Sequence, residues 1–428
     1  MSTLLRTICG VTFRNPGPGL LTWVPMLISF VMAASLQADD WPQWGGPRRN
    51  FKVDSRGLAN SWPAEGPRRI WSRELGEGYS GIAVEGNRLF TMVHRDGQEV
   101  VLALEAGTGK PIWEFAYDVS FLKDMNMDKG PGPHSTPLVV GTRVFTTGAT
   151  GRLHCLDKNT GGLIWSHDLY KEFNGTVLVR GYSSSPIVYR DRVIVPVGGR
   201  QHGLMAFRMN DGSIAWKGHD FRNSHASPIL IRFAGQDQLV ALMHNVIAGV
   251  DPQSGRLIWS VPHEVIGDHI VFTPVWGDDN LLFYSSAYNG GSRLLRLSKN
   301  DGKTHAEEVW FNNKMRIHHG NVIRIRDCIY GSSGDFGPAF LTALDVQTGK
   351  VLWQERGLPK AMLVYAGEKF ILLDEDGRLL LAHLNRQGLE IVSKAELLSS
   401  KSWTPPSLVG TKLYVRDRKN LLALDLRP

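Results

Sequence analysis

L-H-C-L-D-K-N-T-G-G-L-I-W, residues 153 to 165, is the stretch that decides the fold of this chain. It reads as a short apolar strand, a polar turn closed by Thr160 and Gly161, and a second strand with a large aromatic residue. Alternating apolar positions bury one face of a strand, and glycine supplies the positive φ that a tight turn requires. The pattern therefore predicts a β-hairpin.

The same hairpin pattern returns along the chain. Further copies run from Leu102 to Trp113, Leu204 to Trp216, Val246 to Trp259 and Leu341 to Trp353, and more loosely from Leu294 to Trp310. The tryptophan after each turn is too large for its own hairpin to cover, so it must pack against something, most simply the next copy. Each copy then needs its neighbour, which is the logic of a repeat protein.

A second recurring strand gives the number of repeats. It begins with a small hydroxyl residue, usually followed by proline, and continues through apolar residues, a turn and another apolar run. Clear copies begin at positions 135, 184, 227, 273 and 404, and weaker ones begin at Ser80, Gly320 and Met362. The repeat therefore occurs eight times.

The two ends of the repeat region complement each other. The last copy, Leu421 to Leu426, stops where its tryptophan-bearing strand should follow, and the segment Pro67 to Leu75 carries such a strand. We therefore predict an all-β, eight-bladed β-propeller that is closed by pairing of the N-terminal strand with the C-terminal blade, which leaves no open edge. Ile391 or Val392 fills the tryptophan position of the seventh copy, and the other copies carry Trp71, Trp113, Trp165, Trp216, Trp259, Trp310 and Trp353.

Residues 1–38 differ from the rest of the chain. Arg6 and Arg14 precede the apolar run from Leu20 to Leu36, and Ala38 is followed by acidic residues. This order predicts an export signal that is cleaved after Ala38, with an uncleaved membrane anchor as the alternative because the run is nearly long enough to span a bilayer. Either way we expect the folded part in the periplasm or cell envelope, with residues 39–66 packing on a propeller formed by residues 67–428.

Composition and charge restrict the function further. The chain has 428 residues, of which 42% are hydrophobic and only 21% charged, and it contains 46 glycines, which suits a turn-rich β protein. The formal charge of +7 falls to +5 without the two arginines of residues 1–38, too weak a balance to indicate nucleic acid. No G-x-S-x-G, Walker, H-E-x-x-H or C-x-x-C motif is present.

The A-L-D-x-x-T-G-K-x-x-W repeat resembles that of the pyrroloquinoline-quinone-like propellers. This family includes quinoprotein alcohol dehydrogenases and the propeller lipoprotein of the outer-membrane barrel assembly machinery. The opening W-P-Q-W-G-G-P at 41–47, H-H-G at 318 and K-S-W-T at 401 are similar to exported members abundant in planctomycete-type bacteria. The resemblance covers residues 41–428 and speaks for fold more than for activity.

The resemblance implies a ligand-binding face around the propeller axis. In this family the loop entering each inner strand and the loop between the second and third strands share that face. The resemblance therefore implies ligand-binding residues at Tyr79, His134, Tyr182, His225, His319, Lys401 and Trp403, ringed by Arg152, Arg200, Arg293 and Arg378, with Arg95 and Arg418 on the corresponding loops. Guanidinium groups over aromatic walls suit a planar or polymeric anion.

Simpler interpretations of the same residues remain open. An arginine beside a turn is usually solvated, Trp403 alone would serve as a plug of the axis, and His134 would serve as a hydrogen-bonded structural residue. His318 and His319 are neighbours, and neighbours on a strand point to opposite faces. We therefore predict no metal site.

Two functions fit the sequence. The first is an exported, non-catalytic binding or scaffold propeller, whose basic axial face binds an envelope protein, an anionic small molecule or a glycan. We expect this propeller to be a monomer. We expect no nucleic-acid partner, and membrane contact only through residues 1–38. The second is a dehydrogenase that oxidises an alcohol or sugar with pyrroloquinoline quinone and calcium, in which the three carboxylates of the cofactor would meet the arginines and Trp403 would stack on its plane. Catalytic relatives carry adjacent cysteines and a Glu, Asn and Asp calcium set, whereas this chain has no Cys-Cys pair, and Asn321 and Asp335 match no such motif. We therefore favour the first.

Overall fold

Eight sheets, each with four antiparallel strands that meander from an inner to an outer strand, form the fold, and one of them gains a fifth, parallel strand at its inner edge. The computed structural model describes residues 40–263, 265–267, 270–335 and 338–428. The regular structure of these residues is all strand, and the prediction of an eight-bladed β-propeller is confirmed. The export-signal prediction concerns residues 1–38, which lie outside the described residues. Within the described ranges, no helix is long and apolar enough to cross a membrane.

The blades are numbered by the order of their inner strands. Two strands precede blade 1, namely β1 Lys52–Val53 and β2 Arg68–Glu74. Blades 1 and 2 contain β3 Ala83–Glu85, β4 Arg88–Arg95, β5 Gln98–Glu105, β6 Pro111–Asp118, β7 Leu138–Val140, β8 Arg143–Thr147, β9 Arg152–Asp157 and β10 Leu163–Asp168. Blades 3 and 4 contain β11 Ile187–Tyr189, β12 Arg192–Pro196, β13 Leu204–Arg208, β14 Ile214–Gly218, β15 Ile229–Phe233, β16 Gln236–Met243, β17 Val246–Val250 and β18 Leu257–Pro262.

The second half of the ring is built in the same way. Blades 5 and 6 contain β19 Val275–Trp276, β20 Leu281–Ser286, β21 Gly291–Asn300, β22 Lys303–Asn312, β23 Val322–Ile325, β24 Cys328–Ser333, β25 Phe340–Asp345 and β26 Val351–Arg356. Blades 7 and 8 contain β27 Met362–Ala366, β28 Lys369–Leu373, β29 Arg378–Leu384, β30 Leu389–Glu396, β31 Ser407–Val409, β32 Lys412–Arg416 and β33 Asn420–Asp425.

The tryptophan of one blade packs on the hairpin turn of the next blade. Trp113 Nε1 donates to the Lys158 carbonyl at 3.0 Å, and Gly161 lies so close that a Cβ there would be 2.6 Å from the indole. The same donation from blade to blade is made by Trp71, Trp165, Trp216, Trp310 and Trp353. This contact joins neighbouring blades and explains why glycine and tryptophan recur together.

Trp259 makes a different contact. Its Nε1 donates at 2.7 Å to Gln238 Oε1 within its own blade. The following blade has its third and fourth strands, β21 and β22, extended to ten residues each. A Cβ added at their turn glycine, Gly302, would meet no atom within 4 Å, so this turn does not pack on an indole. The junction between blades 4 and 5 is therefore held by side chains rather than by the repeated turn contact.

The N-terminal strand β2 closes the ring. It pairs antiparallel with β33 as the outermost strand of blade 8, with Trp71 opposite Ala423, as predicted. Arg416 reinforces this seam, because its fully buried guanidinium donates to the carbonyls of Gly78, Ser80 and Met92 on the blade 1 side. Backbone pairing and a buried cation therefore join the two ends of the chain.

The segment before β2 runs into the centre of the ring. Asp40 accepts a hydrogen bond from Gly86 in the β3–β4 turn, and Ser55 donates to Gly410 in the β31–β32 turn. Both turns lie on the face opposite to the loops that enter the inner strands. Between them the chain rises into the axis, where buried Arg49 donates to the Pro186 carbonyl at 3.0 Å and β1 pairs parallel with the inner strand β27. Residues 40–55 therefore fill the axis from that opposite face.

Candidate functional site

The loops that enter the inner strands converge on a cavity of about 570 Å³ at the propeller axis. We call it the axial cavity. Six of the residues that the sequence placed on this face line it together: Tyr79, His134, His225, His319, Lys401 and Trp403. They come from five blades, with Lys401 and Trp403 in the same one, because the residues before each inner strand lie at the smallest radius of the ring. Position in the repeat therefore brings together residues that are far apart in the chain.

Four rings form a continuous stacked array on one wall of the axial cavity. His319 stacks on the indole of Trp403 with centroids 4.6 Å apart and planes 10° apart. Tyr79 lies 5.0 Å from the same indole and stacks on His134 at 5.8 Å. Stacking of this kind adds to the energy of area burial and fixes each ring in place. The wall is therefore a rigid aromatic surface.

Glu375 is the electrostatic centre of the cavity mouth. Trp403 Nε1 donates to its carboxylate at 2.9 Å, and the ammonium groups of Lys360 and Lys401 lie 3.4 and 3.7 Å from its oxygens. Lys401 also pairs with Asp376 at 2.9 Å. The positive charge that Lys401 was expected to offer to an anion is thus largely balanced by acidic residues of the β28–β29 loop.

Burial keeps the histidines of the array uncharged. It lowers the pKa of His134 to about 4 and the pKa of His319 well below its ordinary value of 6.5. His225 has its Nδ1 2.8 Å from the Ser183 hydroxyl. Among the described residues, no group of three or more His, Cys, Asp or Glu side chains could hold a metal ion. The array offers neutral rings and hydrogen-bonding groups.

Two long loops wall the mouth of the cavity. They are residues 119–137, between β6 and β7, and residues 169–186, between β10 and β11. Asn126 N donates to the Val179 carbonyl at 2.7 Å, and Arg180 forms an ion pair with Asp128 and donates to the Asn126 carbonyl. Met127 and Arg180 face the axial cavity. The two loops therefore form one cross-braced wall.

Trp44 forms the floor of the axial cavity. It belongs to the segment that enters the axis from the opposite face, and its Nε1 donates to Thr273 Oγ1 at 2.9 Å. Phe51 packs edge-on against its ring with centroids 5.3 Å apart. The described residues thus close the axis below the cavity, so that the mouth is on one face.

A second cavity of about 440 Å³ adjoins the first, between blades 7 and 8 and the loop 119–137. We call it the outer cleft. Its own residues include Ser399, Ser400, Arg418 and Lys419. It shares with the axial cavity the residues Tyr79, Lys129, Glu375, Lys401 and Trp403. Trp403 therefore stands at the boundary of two connected compartments.

Of the six arginines of the predicted ring, none lines the axial cavity, and Arg418 alone lines the outer cleft. Arg152 pairs with Asp168 at 3.4 Å, Arg293 with Glu308 at 3.0 Å, and Arg378 with Asp374 at 2.6 Å. These arginines stand at the start of third strands, and two strand spacings place them about 10 Å outward from the inner strands. Acidic residues of the neighbouring strands and turns then engage them. The expectation that they converge over the axis is corrected accordingly.

Two other predicted residues also lie elsewhere. Arg200, in the β12–β13 loop, is exposed and is not among the residues that line the cavities. Tyr182 is fully buried, and its hydroxyl donates to the Pro196 carbonyl at 2.7 Å. Its ring packs in the hydrophobic core of blades 2 and 3. Ser183, not Tyr182, reaches the cavity.

Several lining residues escaped the sequence reasoning. Glu375 lies in a D-E-D run at 374–376 that carries no repeat signal, and Arg180 lies in a loop unique to its blade. Trp44 lies in the opening W-P-Q-W-G-G-P motif, which does not by itself predict a residue of the cavity. The acidic run at 374–376, in the β28–β29 loop of blade 7, was the one sequence signal that could have predicted a lining residue. The other residues reach the cavity through contacts between segments that are distant in the sequence.

The residues present do not fit a bound pyrroloquinoline quinone with calcium. His319 already stacks on one face of Trp403, the ring expected to receive the planar cofactor. The amide of Asn321 is used on both sides by the main chain of Leu363, at 2.8 Å each. Asp335 pairs with Arg316 at 3.5 Å, and the arginines expected to meet the cofactor's carboxylates point elsewhere. The polar side chains of this site are therefore engaged by neighbouring residues of the protein and are not arranged to hold the cofactor or its metal ion.

Comparison with known proteins places the chain among the propellers. It is 24% identical over 306 residues to the outer membrane protein assembly factor BamB of Yersinia pestis, covering 68% of this chain and 73% of that protein. It is 26% identical over 326 residues to that of Moranella endobia (strain PCIT), covering 73% and 69%. It is also 28% identical over 134 residues to a quinohemoprotein alcohol dehydrogenase of Pseudomonas putida, covering only 30% of this chain and 18% of the enzyme.

Solved structures show the same fold. BamB from Moraxella catarrhalis aligns with a TM-score of 0.58 at 19% identity, covering 84% of this chain and 97% of that one. Quinohemoprotein alcohol dehydrogenase from Comamonas testosteroni aligns with a TM-score of 0.65 at 14% identity, covering 92% and 81%. The family model described as outer membrane protein assembly factor BamB matches residues 62–131 and 124–355, more than half of the chain. The chain therefore belongs to that family of pyrroloquinoline-quinone-like propellers.

Proposed function

We propose that this protein is an exported, non-catalytic binding propeller of the cell envelope, and that its axial cavity holds part of an envelope protein. Its relatives in the family are named as outer membrane protein assembly factors, which supports a scaffold role and an envelope location. The order of residues 1–38 supports export. A monomer that contacts a membrane only through that N-terminal segment is part of the same proposal.

The observation that carries the proposal is the state of the groups at the cavity. The carboxylate of Glu375 is engaged by Trp403 and Lys360, and the rings of His134 and His319 are held in a stack with their pKa values lowered by burial. A general base needs a pKa near the working pH and access to the proton it removes. Rigid neutral rings and paired charges instead supply shape, hydrogen bonds and apolar area, which is what a binding site requires.

A pull-down from envelope extract tests the proposal. The tagged protein would be compared with Trp403→Ala, which removes the centre of the array, and with Ile391→Ala, which changes an exposed residue on the outer strand β30. We expect wild type and the Ile391 variant to recover the same proteins, and the Trp403 variant to recover at least about tenfold less of them. Each recovered protein would then be purified and titrated against all three forms.

Equal recovery by the three forms would contradict the proposal. Thermal unfolding of each variant shows that a loss of binding is not a loss of fold. A parallel assay would add pyrroloquinoline quinone, calcium and an artificial electron acceptor with a panel of alcohols and sugars. We expect no substrate-dependent reduction, and sustained reduction that depends on the quinone would replace the binding function with a dehydrogenase.

A further inference from the structure

We infer that the partner enters the site as an extended polypeptide segment, with an apolar or aromatic side chain in the axial cavity and the adjoining backbone in the outer cleft. This inference rests on the proposed function and specifies the chemistry of the partner. It draws on the shape of the two compartments, their lining, their charge and the way the chain already occupies its own axis.

The shape of the site favours an elongated ligand. The two compartments, of about 570 and 440 Å³, meet at Trp403 and share five residues. Each is large enough for a side chain or a small molecule, and pockets for such ligands usually measure about 300–1,000 Å³. Because Trp44 closes the floor, a ligand that fills both compartments must leave through the outer cleft or the mouth. A chain that bends over Trp403 satisfies this geometry.

The lining of the axial cavity favours an apolar side chain. Besides the stacked array, the apolar residues Trp44, Met127, Val271 and Met362 line the cavity, and charged side chains such as those of Arg180, Lys360 and Glu375 also line it. Methionine is unbranched and polarizable, so it adapts to side chains of different shape and often serves surfaces that bind several partners. The stacked rings provide a fixed wall, and Met127 on the cross-braced loop faces it. A large apolar or aromatic residue can therefore be buried between a rigid and an adaptable wall.

The charges argue against a polyanion. Lys401 pairs with Asp376, Arg180 with Asp128, and Arg418 with Glu77 at 2.5 Å. The outer cleft itself is lined by three carboxylates and four cations, namely Asp128, Glu375, Asp376, Lys129, Lys401, Arg418 and Lys419. Such a lining offers both donors and acceptors, as the N–H and C=O groups of an extended backbone require. An anionic ligand would have to displace carboxylates that already hold these cations.

The axis already holds an extended segment of the chain itself. Strand β1 pairs parallel with the inner strand β27, and Trp41 exchanges two backbone hydrogen bonds with Val84 at 2.8 and 2.7 Å. An inner strand is a sheet edge, and a sheet edge binds an extended peptide by main-chain hydrogen bonds. Residues 40–55 use the half of the axis away from the mouth. In the half nearer the mouth, the main chain of Leu363 on β27 is already engaged by the Asn321 amide, so a second segment would bind there through its side chain in the axial cavity.

Fluorescence anisotropy with labelled synthetic peptides tests the inference. The probe is an end-blocked peptide of roughly ten residues, about 30 Å when extended, made of glycine and serine with one central tryptophan. A matched peptide carries alanine in place of that tryptophan, and a tripeptide carries the tryptophan alone between two glycines. We expect the long tryptophan peptide to bind at least about tenfold more tightly than either of the other two.

Two variants separate the compartments. Trp403→Ala is expected to weaken the long peptide and the tripeptide alike, because Trp403 borders both compartments. Ser400→Trp narrows the outer cleft only, so it should reduce the affinity of the long peptide to that of the tripeptide and leave the tripeptide unchanged. A misfolded variant would lose both peptides, so this selective loss distinguishes blocking from unfolding. Ile391→Ala is the control that should bind like wild type.

Four outcomes would contradict binding of an extended polypeptide segment. Equal affinity for the tryptophan and alanine peptides, or no binding of any peptide, overturns the inference. Displacement of bound peptide by neutral or anionic oligosaccharides at lower concentrations than the peptide requires would assign the site to glycans instead. If pull-down partners depend on Trp403 while no peptide competes with them, the proposed function stands and only the extended-segment inference fails.

Discussion

The buried carboxyl of Glu99 should make the stability of this propeller depend on pH. Glu99 lies on β5 with no exposed surface, between blades 1 and 2. It accepts hydrogen bonds from the Tyr117 hydroxyl at 2.6 Å and from Ala149 N at 2.9 Å. His154, whose ring is 4.4 Å from that of Tyr117, and Arg152 lie on the facing strand β9. Burial raises the pKa of Glu99 to about 7, against the two hydrogen bonds, which lower it.

The magnitude follows from the difference between the folded and unfolded chain. A rise from 4.5 to about 7 corresponds to about 3 kcal/mol, since one pKa unit is worth about 1.4 kcal/mol. Because the folded-state pKa is raised, the folded chain binds the proton more tightly. Stability is therefore unaffected below the unfolded pKa of 4.5, falls as the pH rises towards about 7, and stays reduced above it.

Glu99→Gln mimics the protonated carboxyl. Its amide oxygen accepts from Ala149 N while its NH₂ donates to the Tyr117 oxygen. In urea unfolding, we expect the variant to exceed wild type by up to about 3 kcal/mol near pH 8 and to match it near pH 4. Glu390→Gln, which removes an exposed carboxyl from β30, controls for the loss of one negative charge. A difference between the Glu99 variant and wild type that is the same at both pH values would refute the reasoning.

Two further predictions concern the joints between blades. Gly161→Ala adds a Cβ 2.6 Å from the Trp113 ring at a φ of +74°, and should lower the free energy of unfolding by about 2–4 kcal/mol. Gly302→Ala, at a φ of +73° in open space, should cost only about 1 kcal/mol, and equal losses in urea unfolding would show that the indole contact contributes nothing. Arg416→Met removes the guanidinium that donates to three buried carbonyls at the seam and should cost about 3 kcal/mol by the same measurement. Arg68→Met breaks an ion pair between an exposed guanidinium and the buried carboxylate of Asp425, which Arg427 still engages, so it should cost at most about 1 kcal/mol, and a larger loss than for Arg416→Met would contradict this ranking.

The repeat was predictable because its rules are local. The turn glycine needs a positive φ, and the tryptophan needs the glycine of the following copy, so both residues appear at fixed spacing in the sequence. The closing strand was predictable for a related reason: blade 8 lacks its outer strand, and residues 67–75 have the missing pattern. The residues before the inner strands could be placed near the axis by the same position in the repeat.

The site's charges were not predictable in this way. Each arginine was visible, but the acid that holds it lies on another strand, as Asp168 does for Arg152 and Glu308 for Arg293. Glu375, the electrostatic centre of the cavity mouth, belongs to a loop whose sequence no other blade repeats. Residues 40–55 enter the axis through contacts with blades that are distant in the sequence, such as that of Ser55 with Gly410, 355 residues away. Non-local pairings of this kind leave no periodic trace in the sequence.

Site-specific photocrosslinking tests the binding role of the axial cavity most directly. A photoreactive amino acid would replace Met127, which lines the cavity from its cross-braced wall, or Ile391, which is exposed on the outer strand of blade 7. Each form would be illuminated in envelope extract and the adducts identified by mass spectrometry. We predict adducts to an envelope polypeptide from position 127 that disappear when Trp403→Ala is added, and none of these from position 391. Adducts from position 391 alone, or adducts from position 127 that persist without Trp403, would contradict an axial binding site.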